Sequence, residues 1–304
     1  MSGVSRDATV GFIGLGMMGI HMATNVMRKG TPLVVYDLAA ERCERLAGAG
    51  ASVGASPKNV AEQARIVVLM VDTTDQVEEV LFGVDGIVHA AQSGDKVICM
   101  STIDPAAIRR FAKRLAERGI GIIDSPVAGM EKGARAGTLR AYVGGETGDV
   151  DSCRPVLEAM ATTIVHIGAV GQGLAMKLVN NMLCQVGWVV AAEGLVLGAK
   201  AGLDPALMVE LIGKATGNSV AFEYLAPRWL ERDFEGIRLD ITYKDLQHEI
   251  DLGKSLGVPM LMANIAQQVY EMARCQGYGS EDGVAVVKVY EHLARVSSLG
   301  PIAD

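Results

Sequence analysis

The amino-acid sequence predicts an α/β fold. A doubly wound, largely parallel sheet fills the first half, and one long helix joins it to an all-helical second half. Three observations carry this. Short β-branched runs alternate with amphipathic segments up to about residue 168. The runs IVVLMV (66–71) and KVICM (96–100) show no polar alternation, so both faces of those strands should be covered. Beyond Gly168 the strand pattern stops and helical periodicity replaces it.

In order along the chain, strands are expected at Thr9–Ile13, Pro32–Tyr36, Ile66–Val71, Lys96–Met100, Gly121–Asp124, Leu139–Val143 and Ile164–Ile167. Amphipathic helices such as Met17–Lys29, Ala39–Ala47 and Pro105–Arg118 lie between them. Residues 124–139 read as a long glycine-containing loop at a strand's carboxyl end, where substrate sites are built. Gln172–Ala199 reads as one helix, about 42 Å long at 1.5 Å per residue, forming the spine of the second domain. Helices follow at Pro205–Ala215, Ala221–Glu231, Ile241–Leu256, Met260–Gln276 and Val284–Val296. Asp204-Pro205 is a strong start signal, an N-cap followed by proline at the first helical position.

Composition narrows the function classes. A chain of 304 residues suggests two domains. Lys plus Arg number 28 against 35 Asp plus Glu, a net charge of −7, which argues against nucleic acid as partner. Five scattered cysteines without a CxxC favour reduced thiols and a cytoplasmic protein. The N-terminus MSGVSRDATVGFIG lacks the features of a secretory signal. Leu178–Ala199 carries Asn180, Asn181, Gln185 and Glu193, too many polar groups for a lipid-facing span, so a buried helix and no membrane partner are expected. No HExxH or GxSxG occurs, no metal site is expected, and His248 replaces the first glycine of a P-loop ending at Gly253-Lys254-Ser255.

The first strand runs into Gly14-Leu15-Gly16-Met17-Met18-Gly19, which opens a helix within a βαβ unit. That context makes GxGxxG a Rossmann-type dinucleotide fingerprint. Gly14 permits the tight turn, Gly16 lets the backbone approach a pyrophosphate, and Gly19 lets the helix pack closely. The second strand ends at Asp37, 18 residues beyond Gly19, near the spacing of an acid that binds the adenosine ribose. A carboxylate there repels a 2′-phosphate and favours NAD over NADP, although Arg42 lies one turn on. Asp37 could instead be a helix N-cap, and both roles can coexist. The next strand ends carry Val71 and the pair Ser101-Thr102, placed to meet the nicotinamide half or to cap the helix near Pro105.

Lys177 and Asn181 share one face of the long helix at i,i+4, among Leu174, Met176, Leu178, Val179 and Met182. An ammonium in such a setting is costly unless it is paired or functional. It could exchange a proton with a substrate hydroxyl while Asn181 holds geometry, or it could be a lysine snorkelling at a domain interface.

GFIGLGMMG, Ser101-Thr102, DSPVAGMEKGARAGTL, Gly171–Asn181 and Tyr243-Lys244-Asp245-Leu246 stand in the order and spacing of the β-hydroxyacid dehydrogenases. The sequence resembles that family, which includes 3-hydroxyisobutyrate dehydrogenase and tartronate semialdehyde reductase, over nearly its whole length. The resemblance implies an NAD-binding Rossmann domain over residues 1–169, an all-helical substrate and oligomerisation domain over 170–304, and a cleft between them. It implies that Lys177 is the general acid/base with Asn181 beside it. Cofactor contacts are implied at Gly14, Leu15, Gly16, Met17, Met18, Gly19, Asp37, Val71 and Thr102, with Lys244 closing the site. Substrate contacts are implied at Ser101, Ala128, Gly129 and Met130, together with Lys177 and Asn181. Homodimers or homotetramers are implied as well.

The family loop commonly reads Asp-Ala-Pro-Val-Ser-Gly-Gly. Here Ala128 replaces the serine and Met130 the second glycine, so the implied substrate contacts change. Imine reductases share the architecture but replace the lysine, so Lys177 argues against them. The expected activity is hydride transfer between NAD and a small anionic 3-hydroxy acid or its semialdehyde. The alternatives are a reductase of a sulfonated or enlarged aldehyde, and a non-catalytic NAD-binding protein.

Overall fold

The computed structural model describes residues 5–301. Residues 1–4 of the segment read for a leader, and the extreme ends of both expected domains, lie outside that range. The chain forms two compact units, Met1–Lys177 and Leu178–Asp304.

The first unit is built on β1 (Val10–Ile13), β2 (Leu33–Tyr36), β3 (Ser52–Val53), β4 (Ile66–Leu69), β5 (Lys96–Cys99), β6 (Gly121–Asp124), β7 (Val127–Ala128), β8 (Leu139–Gly144) and β9 (Ala161–Gly168). Strand order is β3-β2-β1-β4-β5-β6-β8-β7, with β9 paired to β8. The strands from β3 to β6 are parallel; β8 runs antiparallel to β6 and β7, and β9 parallel to β8. The order reverses direction between β1 and β4, so a ligand crevice is expected outside their carboxyl ends.

Burial on both faces follows from the strand sequences. Phe12, Val35, Val68, Ile98 and Ile123 enter one core, while Ile13, Val34, Val67, Cys99 and Ile122 enter the other. Alternate residues of a strand point to opposite faces, so a strand apolar throughout is stable only when both faces are covered. The covering helices are α1 (Gly19–Arg28), α2 (Ala40–Ala47), α3 (Pro57–Gln63), α4 (Thr74–Phe82), α5 (Pro105–Ala116), α6 (Met130–Ala136) and α7 (Thr147–Leu157).

The expectation of a structureless loop over 124–139 is corrected here. That segment holds β7 and α6. Gly137 ends α6 in the left-handed region at φ +70°, the conformation a helix C-terminus commonly demands. Asn25 Nδ2 donates to the Ala134 carbonyl at 2.7 Å, and His21 Nε2 lies 3.2 Å from Glu131 Oε1, so α6 is clipped to α1.

The second unit contains most of α8 (Gln172–Lys200), then α9 (Pro205–Ile212), α10 (Val220–Glu231), α11 (Leu239–Leu256), α12 (Leu261–Cys275) and α13 (Val287–Ala294). It is not wholly helical. Arg295 stops α13 at φ +55°, and Val296 pairs with Pro301 in a small antiparallel ladder. Asp204 accepts from Leu207 N and caps α9, as its position before Pro205 predicts. The helix α8 is long and apolar enough to cross a membrane. It is not fully buried as expected: Trp188, Val189, Ala192, Leu195 and Val196 are covered, whereas Val179, Leu183, Val190 and Leu197 are exposed.

Candidate active site

At the switch point, Gly14 follows β1 with φ +94°. A side chain there would strike the Met70 carbonyl, on the residue after β4. A Cβ on Gly19 would strike the Gly14 carbonyl, so only glycine lets α1 begin this close to the turn. Around Gly16 no atom lies within 4 Å of where a Cβ would stand. Among the described residues no side chain caps α1, and no acid sits in its first turn. Space beside Gly16 and helix amides without a carboxylate partner fit a dinucleotide pyrophosphate.

Asp37, at the end of β2, is held by the chain itself. Its Oδ2 accepts from Leu15 N at 2.7 Å, and its Oδ1 accepts from Ala39 N at 2.9 Å and from Arg42 Nη1 at 3.4 Å. Only 9% of the side chain is exposed. The residue therefore braces the glycine turn and the approach to α2, and its charge stands at the carboxyl end of β2.

At the ends of β4 and β5, Val71 N donates to Ser101 Oγ at 2.8 Å, and Ser101 is only 1% exposed. The Ser101 hydroxyl supports the Val71 backbone from behind, while Thr102 is half-buried beside it. Capping of the following helix falls to neither residue. Asp104 does it, accepting from Ala106 N at 2.8 Å and Ala107 N at 3.1 Å.

Ala128 ends β7, paired with Arg140. Gly129 has φ +128° and Met130 φ +54°. A left-handed conformation costs a residue with a Cβ roughly 1–2 kcal/mol, so Met130 is held in a strained backbone. Glu131, which follows, is paired to Arg135 at 2.6 Å and to His21; these partners hold its carboxyl below the usual range.

Two acids that sequence reasoning left without a role are central to the geometry. Asp124, at the end of β6, is fully buried. Its Oδ1 accepts from Gly171 N at 2.6 Å and its Oδ2 from Leu174 N at 2.7 Å, at the start of α8. Burial pushes its carboxyl up to about 6 against the opposing pull of those amide bonds. Asp245, on α11, is 6% exposed. It accepts from Asn181 Nδ2 at 3.0 Å through Oδ2 and forms an ion pair with Lys244 Nζ at 3.1 Å through Oδ1. Asn181 and Lys244 are thereby tied to one carboxylate in the second unit. Lys177 is half-buried on α8, one turn before Asn181. The signal for Asp124 was a lone acid closing an apolar strand; the signal for Asp245 was its place beside Lys244.

Residues 9–168 match the model of the NAD binding domain of 6-phosphogluconate dehydrogenase. Residues 171–290 match that described as NAD-binding of NADP-dependent 3-hydroxyisobutyrate dehydrogenase. The chain is 36% identical over 299 residues to 2-(hydroxymethyl)glutarate dehydrogenase of Eubacterium barkeri, covering 98% of this chain and 99% of that one. It is 34% identical to the mitochondrial 3-hydroxyisobutyrate dehydrogenase of Homo sapiens, covering 92% and 85%. The crystal structure of 3-hydroxyisobutyrate dehydrogenase from Salmonella typhimurium superposes with a TM-score of 0.84 at 32% identity, covering 93% of this chain and 100% of that one. The two domain matches, the full-length relatives and the switch-point glycine turn agree: the chain belongs to the β-hydroxyacid dehydrogenase family and is an NAD-dependent oxidoreductase acting on the CH–OH group of small hydroxy acids.

Proposed function

We propose that the protein catalyses reversible oxidation of a small anionic 3-hydroxy acid to its semialdehyde, with Lys177 as general acid/base. The observation that carries this reading is the Lys177/Asn181 pair on α8, with Asn181 fixed by Asp245. NAD, when bound, would supply the hydride acceptor for the carbinol carbon. The segment Gly14–Gly19 and α1 would hold its pyrophosphate, Asp37 the adenosine ribose, and Val71 and Thr102 the nicotinamide end. Lys177 Nζ takes the substrate hydroxyl proton in oxidation and returns it in reduction. The Asn181 amide donates to Asp245, which fixes the orientation of its side chain beside Lys177. Backbone amides near Gly129 hold the substrate carboxylate, with Ala128 and Met130 shaping the pocket; Ser101, buried behind Val71, supports that backbone and is not placed to touch substrate as the resemblance implied. A screen of NAD reduction over small 3-hydroxy acids tests the reading. Turnover is expected with at least one; NAD binding without turnover on any acid or matching semialdehyde would contradict the reading.

Cofactor choice follows from Asp37. NAD is expected to give the higher kcat/KM. Asp37→Asn retains an acceptor for Leu15 N while removing the charge, so the NAD preference should shrink by about tenfold or more, near 1.4 kcal/mol. Equal use of both cofactors by the unmodified protein would contradict the role given to Asp37.

Met130 is expected to set the substrate ranking. Met130→Gly relieves a left-handed side chain at an entropic cost of about 0.5–1 kcal/mol, so stability should change by less than about 1 kcal/mol. The order of kcat/KM over a panel of acids should change while NAD affinity does not. An unchanged order would remove Met130 from the pocket.

The same reading makes the enzyme a cytoplasmic homodimer or homotetramer. Its five cysteines are free. Val179, Leu183, Val190 and Leu197, the last 70% exposed, recur on α8 at spacings of four and seven, as in a helix–helix seam. Leu183→Glu is expected to yield a smaller species in light scattering; an unaltered mass would exclude this face from the contact.

A further inference from the structure

We infer that Asp124 is a positioning residue for Lys177, setting where α8 begins and how it is rotated. The inference rests on the proposed role of Lys177. The first amides of an α-helix have no acceptor within the helix. At α8 two of them, from Gly171 and Leu174, are taken by one carboxylate that comes from β6. Among the described residues no acid stands in the first turn of α8 to do this locally. The strand that carries Asp124 is paired to β5 over Lys96–Cys99, and Asp124 itself is paired to Gly144 of β8. The carboxylate therefore refers the start of α8 directly to the sheet.

The surrounding glycines show that the space is built for this contact. A Cβ on Gly144 would stand 2.6 Å from Asp124 Oδ1, and one on Gly173 would stand 2.8 Å from Asp124 Oδ2. Gly173 also lies against the Tyr142 carbonyl, where a side chain would collide. Gly171 has φ +90°, and a Cβ there would meet Arg109 Nη1 at 2.8 Å. All three glycines are required for α8 to start on β8 with the carboxylate between them. Lys177 follows Leu174 by three residues, so the two are neighbours on the helix surface, one turn apart. A helix that slides or turns at its first amides carries Lys177 with it. A shift of about 1 Å at a reacting group can cost about 10²-fold in rate.

Asp124→Asn is close in shape but keeps only one acceptor. It is compared with Lys177→Ala and with the double variant, reading Tm, NADH affinity, kcat and KM for each. The expected result is a fall in kcat of about tenfold or more in Asp124→Asn, with NADH affinity within about threefold of wild type. In the Lys177→Ala background the same change should lower the residual kcat by less than about twofold, because the group it positions is gone. Losses that multiply in the double variant, or a wild-type kcat in folded Asp124→Asn, overturn the inference while leaving Lys177 in its role. Near-wild-type turnover by Lys177→Ala removes the reading of Lys177 and the inference with it. Should Asp124→Asn fail to fold, Asp124→Ser keeps one acceptor without crowding the glycines, and the same comparison with Lys177→Ala decides.

Discussion

Replacing Lys177 with alanine is expected to lower kcat by about 10²–10⁴-fold, the usual contribution of a general acid/base. The lysine is half-buried on α8, one turn before Asn181, whose amide is anchored by Asp245. A lysine that merely covers apolar surface with its stem would behave differently: its loss would lower Tm and leave turnover of the folded protein intact. The catalytic reading expects the reverse, with Tm and NADH affinity near wild type and kcat collapsed. Stopped-flow transients on the Ala variant should show slow chemistry rather than slow product release. Turnover near the wild-type rate at saturating substrate would remove Lys177 from the mechanism.

The glycine turn provides the second large effect, because two of its glycines are needed for different reasons. A methyl group on Gly19 meets the Gly14 carbonyl and comes within 3.4 Å of Phe12 Cε1. Backbone cannot yield as a side chain can, so Gly19→Ala should cost about 1–3 kcal/mol of stability and shift α1 off the turn. NAD affinity is expected to fall at least tenfold, about 1.4 kcal/mol, as the helix amides move. Gly16→Ala places its methyl in open space and should leave Tm unchanged. It should nevertheless weaken NAD by a similar factor, since the methyl stands where the pyrophosphate approaches. Measuring Tm and NAD affinity for both variants separates the two roles. A Gly16→Ala variant that binds NAD normally would mean that the cofactor does not cross that space.

The parts of the fold that were legible in sequence are those fixed by local physics. The strands β1, β2, β4, β5 and β6 lie within two residues of expectation because each is an apolar run that no helix-period pattern matches. The strand β3 was invisible: it has two residues, Ser52 and Val53, both exposed. The helix α4 was not among the expected helices: it begins with a capping box, Thr73 and Gln76, close behind an apolar strand. Residues 130–136 were read as loop because Gly129, Gly133 and Gly137 punctuate them. In the structure Gly129 and Gly137 bound α6, and Gly133 lies beneath Leu139, 3.2 Å from where its Cβ would be.

The same division runs through the site. The glycine turn was legible because its chemistry is contiguous in the chain. Asp124 and Asp245 were not, because their roles arise only on folding. Asp124 meets amides 47 and 50 residues away, and Asp245 meets an amide 64 residues away. No spacing rule covers such separations. Ser101 shows the limit from the other side: its position at a strand end was read correctly, but its burial behind Val71 depends on the neighbouring strand.

The account centres on hydride transfer from the carbinol carbon of a small 3-hydroxy acid to NAD, and isotope transfer tests it most directly. Small 3-hydroxy acids deuterated at that carbon are incubated with the enzyme and unlabelled NAD, and the reduced cofactor is analysed by mass spectrometry. The account predicts that one deuterium appears on the nicotinamide ring of NADH for each semialdehyde formed, and that Lys177→Ala slows its appearance without changing its destination. Unlabelled NADH, or no NADH from any acid in the panel, would contradict it.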